Sequence, residues 1–195
     1  MVDWKEFIAA ESGPSVDHRQ VCIRPGLATA HGADDNAVRM GREIERKFLV
    51  CSSDWSREAT SARPLRQGYL AIDDGNNVRV RTDGQRAWLT IKGRGEGITR
   101  PEFEYEIPVD DAVALFAICR GRLVEKTRHL IPAGALSWEI DEFCGDNAGL
   151  VVAEIELPDE DTPVPQPVWL GEEVTADSRY LNANLAVHPF ARWAR

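Results

Sequence analysis

The segment Glu43-Ile44-Glu45-Arg46-Lys47-Phe48-Leu49-Val50 carries the most informative charge pattern in the chain. As a β-strand it places its two glutamates and its lysine on one face and Ile44, Phe48 and Val50 on the other, because successive strand side chains point to opposite faces. The two carboxylates would then lie about 7 Å apart. Together with the ammonium group they suit a hydrated divalent cation beside a phosphate. A half-buried antiparallel strand with a solvated face would give the same pattern, so this segment alone does not establish a site.

The same alternation recurs along the chain, and one sign of charge dominates each strand face. Basic faces occur in residues 78–81, 88–92 and 124–128, and acidic faces in residues 102–107, 138–141 and 153–157. Surfaces that meet water usually mix the two signs, because like charges that neighbour one another in a sheet are destabilising. We therefore predict that these faces converge on a ligand that needs both signs: divalent metal for the carboxylates and phosphate oxygens for the arginines and lysines.

The overall composition is that of a single globular domain. The chain has 195 residues, of which 43% are hydrophobic and 28% charged. Its net charge of −9 argues against a general nucleic-acid surface, although a cleft can still attract an anionic ligand. No apolar run approaches the ~20 residues needed to span a membrane, and no signal peptide is recognisable. We therefore expect a cytoplasmic protein.

Residues 1–40 differ from the rest of the chain. They contain Gly13-Pro14 and Pro25-Gly26 and show little hydrophobic periodicity, which is typical of a disordered or loosely docked extension. We therefore divide the chain into an N-terminal extension over residues 1–40 and a domain over residues 41–195. Met40 directly precedes Gly41, and we expect Met40 to be the natural start of the protein.

The domain is predicted to be α+β and mostly β. We place its strands near residues 42–50, 66–73, 77–83, 86–93, 101–108, 122–132, 136–143 and 149–158. Helices are predicted over residues 54–60 and 110–118, and Ser178 is expected to cap a final helix that runs to Leu185. Pro158 to Pro167 reads as an extended connection. Eight antiparallel strands with charged inner faces and apolar outer faces predict a closed β-barrel turned inside out, with helices packed outside.

The ordered set of motifs resembles the CYTH superfamily, also called the triphosphate tunnel metalloenzymes, over residues 41–195. Glu43 to Lys47 matches the family's E-x-E-x-K signature, and residues 171–175 followed by Arg179-Tyr180 resemble the C-terminal signature of the short bacterial members. Further matches lie at residues 65–70, 78–81, 89–92, 104–107, 124–128 and 154–156. Ser178 departs from the pattern, since we expect a lysine there in the most similar members.

The resemblance implies an eight-stranded antiparallel tunnel that binds triphosphate with Mg²⁺ or Mn²⁺. The compact architecture is most similar to the bacterial inorganic triphosphatases, which implies hydrolysis of inorganic triphosphate to pyrophosphate and phosphate. Two enzyme alternatives stay open, a class IV-type adenylate cyclase and a nucleoside or thiamine triphosphatase. A non-catalytic polyphosphate-binding module is a third. The expected partner is a small-molecule triphosphate rather than nucleic acid or membrane, and a homodimer is left open.

The resemblance also implies roles for individual residues. A first divalent ion would be held by Glu43, Glu45, Glu154 and Glu156, and candidates for a second ion are Glu104, Glu106 and Asp141. The phosphates would be bound by Lys47, Arg79, Arg81, Lys92, Lys126 and Arg128. Lys47 would also pair with Tyr69, and this pair would influence catalysis. Surface positions are expected for Arg46 and Arg94, and Arg179 would reach the tunnel mouth. Glu102 and Glu139 are left open between rim residues and ligands.

Overall fold

The computed structural model describes residues 39–193, so the predictions for the N-terminal extension lie outside the described residues. Within this part of the chain there are nine β-strands, all antiparallel to their neighbours. They are β1 Arg39–Val50, β2 Ser61–Asp73, β3 Asn76–Thr82, β4 Ala87–Lys92, β5 Thr99–Ile107, β6 Leu123–Ala133, β7 Leu136–Phe143, β8 Val151–Glu156 and β9 Leu170–Glu173. The eight predicted strands are confirmed, and β9 is an addition that the sequence pattern did not indicate.

The sheet closes on itself as a barrel because β1 has a partner on each side. The hydrogen-bonded order is β5-β4-β3-β2-β6-β7-β8-β1, and a further β1–β5 pairing joins the two ends. Glu43 lies opposite Arg100 of β5, whereas Glu45 and Lys47 lie opposite Glu156 and Glu154 of β8. β9 pairs with the last residues of β1. The register therefore brings the acidic residues of β1 and β8 side by side.

Two apolar clusters lie on the outer face of the barrel, as the alternation predicted. One contains Ile44 and Phe48 of β1 with Trp138 of β7, and Trp169 packs edge-on against Trp138 at a ring-centroid distance of 5.5 Å. The other lies between β3, β4 and the helix α1, Val109–Ile118, whose Phe116 is buried. Burial of apolar side chains is the main stabilising contribution to folding, so these two clusters stabilise the barrel from its outside.

A third apolar cluster lies inside the barrel and was not predicted. Leu49, Val124, Phe143 and Val152 share strand faces with charged lumen residues, yet they pack together and against Leu185 from the C-terminal segment. Tyr180, Phe190 and Trp193 pack against the same cluster. The prediction of charged inner faces is therefore correct for only part of the lumen, because the C-terminal segment covers these inward-facing positions with apolar side chains.

The helical predictions are confirmed in part. α1 agrees with the expected helix, and the helix expected over residues 54–60 is a 3-10 helix, Ser53–Arg57. The prediction that Ser178 caps a final helix is wrong. Asp177 caps a separate 3-10 helix, Ser178–Tyr180, by accepting a hydrogen bond from the Arg179 backbone N–H at 3.0 Å.

The extended backbone of Leu181 separates this 3-10 turn from the short helix α2, Asn182–Leu185. Two further 3-10 helices are Gly145–Asn147 and Phe190–Arg192. Residues 158–168 form neither helix nor strand, as expected for the proline-rich connection. Among residues 39–193, none of the helices is both long and apolar enough to cross a membrane.

Candidate active site

A cavity of about 610 Å³ occupies the barrel lumen, and its wall carries acidic and basic side chains in equal number. The acidic residues are Glu43, Glu45, Glu102, Glu104, Glu139, Glu154 and Glu156. The basic residues are Arg42, Lys47, Arg79, Arg81, Lys92, Arg100 and Arg128. Tyr69, residues 75–77 at the turn from β2 into β3, and a C-terminal stretch that includes Ser178 and Asn182 also line the cavity. The faces that the sequence predicted to converge therefore do converge.

Glu43 is held by two cations from neighbouring strands. Its carboxylate accepts hydrogen bonds from Lys92 Nζ at 2.8 and 2.9 Å and from Arg100 Nε at 2.6 Å. Burial by itself would raise the pKa of Glu43, but the charges of Lys92 and Arg100 outweigh it and hold this pKa well below its ordinary value. Glu43 is therefore a carboxylate at neutral pH.

Glu45, Lys47, Arg128 and Glu154 form a second group of charged side chains in the cavity wall, with Lys47 at its centre. The ammonium of Lys47 donates to Glu154 and is paired with Glu45, and Arg128 Nη2 donates to the other Glu154 oxygen at 2.7 Å. Burial would lower the pKa of Lys47, but the two carboxylates raise it above its ordinary value. Burial and the nearby Glu154 charge raise the pKa of Glu45. Crowded carboxylates of this kind favour an additional cation in the cavity.

Arg79 and Arg81 project from β3 into the lumen. Arg79 Nη2 donates to Thr90 Oγ1 at 3.1 Å, and Arg81 Nη2 donates to the two Glu104 oxygens at 3.3 and 3.1 Å. The Nε atoms of both arginines are buried and have no hydrogen-bond partner among residues 39–193. A buried donor without a partner is unfavourable. Both guanidinium groups therefore have hydrogen-bonding capacity that an anionic ligand in the cavity could use.

Tyr69 is buried in the cavity wall, and its hydroxyl accepts a hydrogen bond from Gln67 Nε2 at 3.1 Å. Burial raises the pKa of Tyr69 to about 12. The phenol therefore stays protonated at neutral pH, as does the ammonium of Lys47. Both groups can donate hydrogen bonds to an anion, and neither can serve as a base in this state.

Three predicted site residues do not line the cavity. Lys126 and Asp141 are fully buried against each other, and Asp141 also accepts from Arg128 Nε at 2.8 Å and Nη2 at 2.7 Å. Both side chains share a strand face with cavity-lining residues, but they lie beyond the cavity wall, next to the inner apolar cluster that contains Phe143. Burial and the Arg128 charge lower the pKa of Lys126 to about 8. Lys126 and Asp141 are therefore placed to hold Arg128 in position rather than to contact phosphate directly.

The third residue, Glu106, has the alternation of an inward-facing side chain but is exposed. It is paired with Arg86 near the end of β5, outside the cavity. Glu106 therefore lies away from the carboxylates that would hold a metal ion in the cavity, and Asp141 is already neutralised by two cations.

Some lining residues were missed or misjudged from the sequence. Arg100 was missed because the predicted strand began at Pro101, whereas β5 begins at Thr99 and continues the inward-facing series. Glu102 and Glu139, left open between rim residues and ligands, both line the cavity. Arg179 does not line it and is exposed beside Asp177.

The donor chemistry of the cavity fits Mg²⁺ or Mn²⁺, which prefer carboxylate oxygens. The register sets Glu45 opposite Glu156, with Glu43 and Glu154 close by on the same two strands. Nevertheless, no three acidic, histidine or cysteine side chains of residues 39–193 are grouped so that they could hold a metal ion. Two of the carboxylates are instead paired with lysines: Glu43 with Lys92 and Glu45 with Lys47. A divalent ion would therefore have to replace these ammonium contacts.

The fold and the cavity together define a class of protein: a closed antiparallel barrel whose lumen holds paired acidic and basic side chains. The chain belongs to the CYTH domain family, whose model matches residues 41–187. It is 46% identical over 152 residues to an inorganic triphosphatase of Acetivibrio thermocellus, covering 77% of this chain and 97% of that protein. It is 42% identical to an inorganic triphosphatase of Nitrosomonas europaea, covering 74% and 97%.

A solved structure supports the same assignment. The chain resembles the crystal structure of an inorganic triphosphatase with a TM-score of 0.55 and 38% sequence identity. The match covers 74% of this chain and 94% of the other. The family resemblance and the fold class predicted from the sequence are therefore confirmed.

Proposed function

We propose that this protein hydrolyses inorganic triphosphate to pyrophosphate and orthophosphate inside the barrel cavity. The observation that carries the proposal is the pair of buried, unpartnered Nε–H groups of Arg79 and Arg81, set in a cavity lined by further cations and by carboxylates. Two relatives at 46% and 42% identity are inorganic triphosphatases, which supports the same substrate.

The cavity can act by positioning the phosphate chain and by neutralising its charge. Water attacks the terminal phosphorus, the bond from that phosphorus to the bridging oxygen breaks, and pyrophosphate leaves with the bonding electrons. The proton of the attacking water passes to solvent or to the leaving pyrophosphate. The transition state of such a transfer is loose and carries its charge on oxygens. Arg79, Arg81, Lys92 and Arg128 would bind these oxygens, the arginines through forked hydrogen bonds. Lys47 and Tyr69 would add two further donors, so no covalent intermediate is required.

A divalent ion, Mg²⁺ or Mn²⁺, belongs to this proposal. Glu43, Glu45, Glu154 and Glu156 would hold a first ion, and Glu104 is the remaining candidate for a second. A bound ion would neutralise phosphate charge and orient water. Calorimetric titration of each metal into the triphosphate-free protein, compared with the same titration of Glu45→Gln, tests these ligands without relying on turnover. Equal metal affinity of the two proteins would remove Glu45 from the site.

Product analysis tests the reaction itself. Inorganic triphosphate, ATP and thiamine triphosphate are offered side by side with Mg²⁺ and separately with Mn²⁺. We expect pyrophosphate and orthophosphate mainly from inorganic triphosphate. Cyclic AMP formed from ATP would instead assign a cyclase, and tight binding without turnover would assign a binding module.

Arg81→Ala is expected to weaken triphosphate binding by at least about tenfold, because a charge-assisted hydrogen-bond donor to the phosphate is lost. Arg86→Ala is the matched control. Both guanidinium groups lie over the Trp88 ring, at 5.1 and 5.3 Å from its centroid, but only Arg81 lines the cavity. Calorimetric titration of triphosphate without metal measures the effect. Equal affinity of the two variants would contradict a phosphate contact by Arg81.

The location and assembly of the protein remain predictions. We propose the cytoplasm as its location and a small-molecule triphosphate as its partner. The homodimer that the sequence left open is tested by light scattering during size-exclusion chromatography.

A further inference from the structure

A second cavity, of about 510 Å³, lies apart from the barrel lumen. Its wall is formed by the turn between α1 and β6, the 3-10 helix Gly145–Asn147 and the C-terminal segment that includes residues 185–187. None of the residues that line it also lines the lumen cavity. It is therefore a separate place where a ligand could bind.

Among residues 39–193, the wall of the second cavity carries three arginines and two carboxylates. The arginines are Arg120, Arg122 and Arg192, and within these residues their guanidinium groups have neither a hydrogen bond nor an ion pair. Of the carboxylates, Glu125 lies 3.4 Å from Arg66 Nε, so its charge is offset, whereas Asp146 is exposed, as are Arg120 and Arg192. In a protein of net charge −9, this local balance of charge favours an anionic ligand.

Arg120 lies at the turn that ends α1, directly after its C-cap residue Cys119. Arg120 has a φ angle of +52°, and Gly121 follows with a φ angle of +78°. Helices commonly end with a residue in this left-handed conformation, so the turn is an ordinary helix end. Glycine adopts the conformation freely, whereas a residue with a Cβ does so at an energetic cost, so glycine at position 120 would be more stable than arginine.

We propose that the second cavity binds a phosphate-class oxyanion, either orthophosphate or pyrophosphate. Planar guanidinium groups form paired hydrogen bonds with tetrahedral oxyanions, and three of them can surround a ligand that presents several oxygens. The cavity also adjoins the lumen through the C-terminal segment: residues 185–187 line the second cavity and residues 181–184 line the lumen cavity. The binding site itself does not depend on the proposed hydrolysis.

The test is calorimetric titration of pyrophosphate without metal into an Arg79→Ala/Arg81→Ala protein, whose lumen binding is weakened. Adding Arg122→Gln is expected to lower the remaining affinity about tenfold, because one charged hydrogen-bonding group is lost. Adding Arg57→Gln, at an exposed arginine outside both cavities, is expected to leave the affinity unchanged. Pyrophosphate is expected to bind more tightly than orthophosphate because it presents more oxygens. No binding of either anion, or an affinity that Arg122→Gln leaves unchanged, would overturn the proposal.

Arg120→Gly separates binding from folding. Glycine relieves the left-handed backbone, so we expect the thermal midpoint of this variant to rise while its pyrophosphate affinity falls. A folding defect could not produce this combination. An Arg120→Gly protein that binds pyrophosphate as tightly as its parent would overturn the role of Arg120.

Discussion

Glu45→Gln is expected to reduce triphosphate hydrolysis by at least about 100-fold while the protein remains folded. Glu45 lies in the acidic row of β1, opposite Glu156, and its pKa is raised by burial and by the Glu154 charge. Glutamine preserves the shape of the side chain but removes the charge that would attract a divalent ion. Lys47 keeps its second carboxylate partner, Glu154, so the ion pair that anchors it survives.

The matched control for this variant is Glu106→Gln. Glu106 has the alternation expected of an inward-facing residue, yet it is exposed and paired with Arg86. Steady-state release of orthophosphate at saturating Mg²⁺ should be unchanged in Glu106→Gln and nearly absent in Glu45→Gln. Undiminished turnover in a folded Glu45→Gln protein would show that the acidic row of β1 is not required for catalysis.

Asp141→Asn is expected to lower the free energy of unfolding by about 3 kcal/mol or more, because it leaves buried cations without their counter-charge. Asp141 is fully buried and is the shared partner of Lys126 and Arg128. The NH2 group of the asparagine amide would also face the N–H donors of Lys126 and Arg128, with which it cannot form a hydrogen bond. Loss of this contact should release Arg128 from its position beside Glu154, so turnover should fall as well.

Urea unfolding measures the effect on stability. Glu142→Gln is the control, since Glu142 is the next residue of β7, points to the opposite face and is exposed. We expect its unfolding midpoint to match that of the unaltered protein. An Asp141→Asn protein as stable as this control would contradict the view that the buried pair holds Arg128 in place.

The alternation of side chains predicted which strand faces would meet, but not how deep each residue would lie. Lys126 and Arg128 are two residues apart on one face of β6, yet only Arg128 lines the cavity. How deep a residue lies along the barrel axis depends on the register between neighbouring strands, and the sequence of one strand does not encode that register. The same applies to Glu104 and Glu106 of β5, one of which lies in the cavity and the other at the surface.

The inner apolar cluster could not be inferred because its partners are distant in the sequence. Leu49 and Phe143 alternate like lumen residues, and only the packing of Leu185 from the C-terminal segment makes apolar side chains favourable there. β9 was missed for a related reason, since its four residues show no clear alternation. It is held by pairing with β1, where a Cβ on Gly171 would meet the Leu49 carbonyl oxygen at 2.9 Å. Contacts between remote segments thus decided what the local pattern could not.

The most direct test of the central claim is a crystal structure of Glu45→Gln bound to inorganic triphosphate. The proposal predicts the phosphate chain inside the barrel, with oxygens within hydrogen-bond distance of Arg79 and Arg81, including their Nε atoms, which have no partner among the described residues. Triphosphate bound outside the barrel, with the lumen contacts of both arginines unchanged, would contradict the assignment of the barrel cavity as the active site.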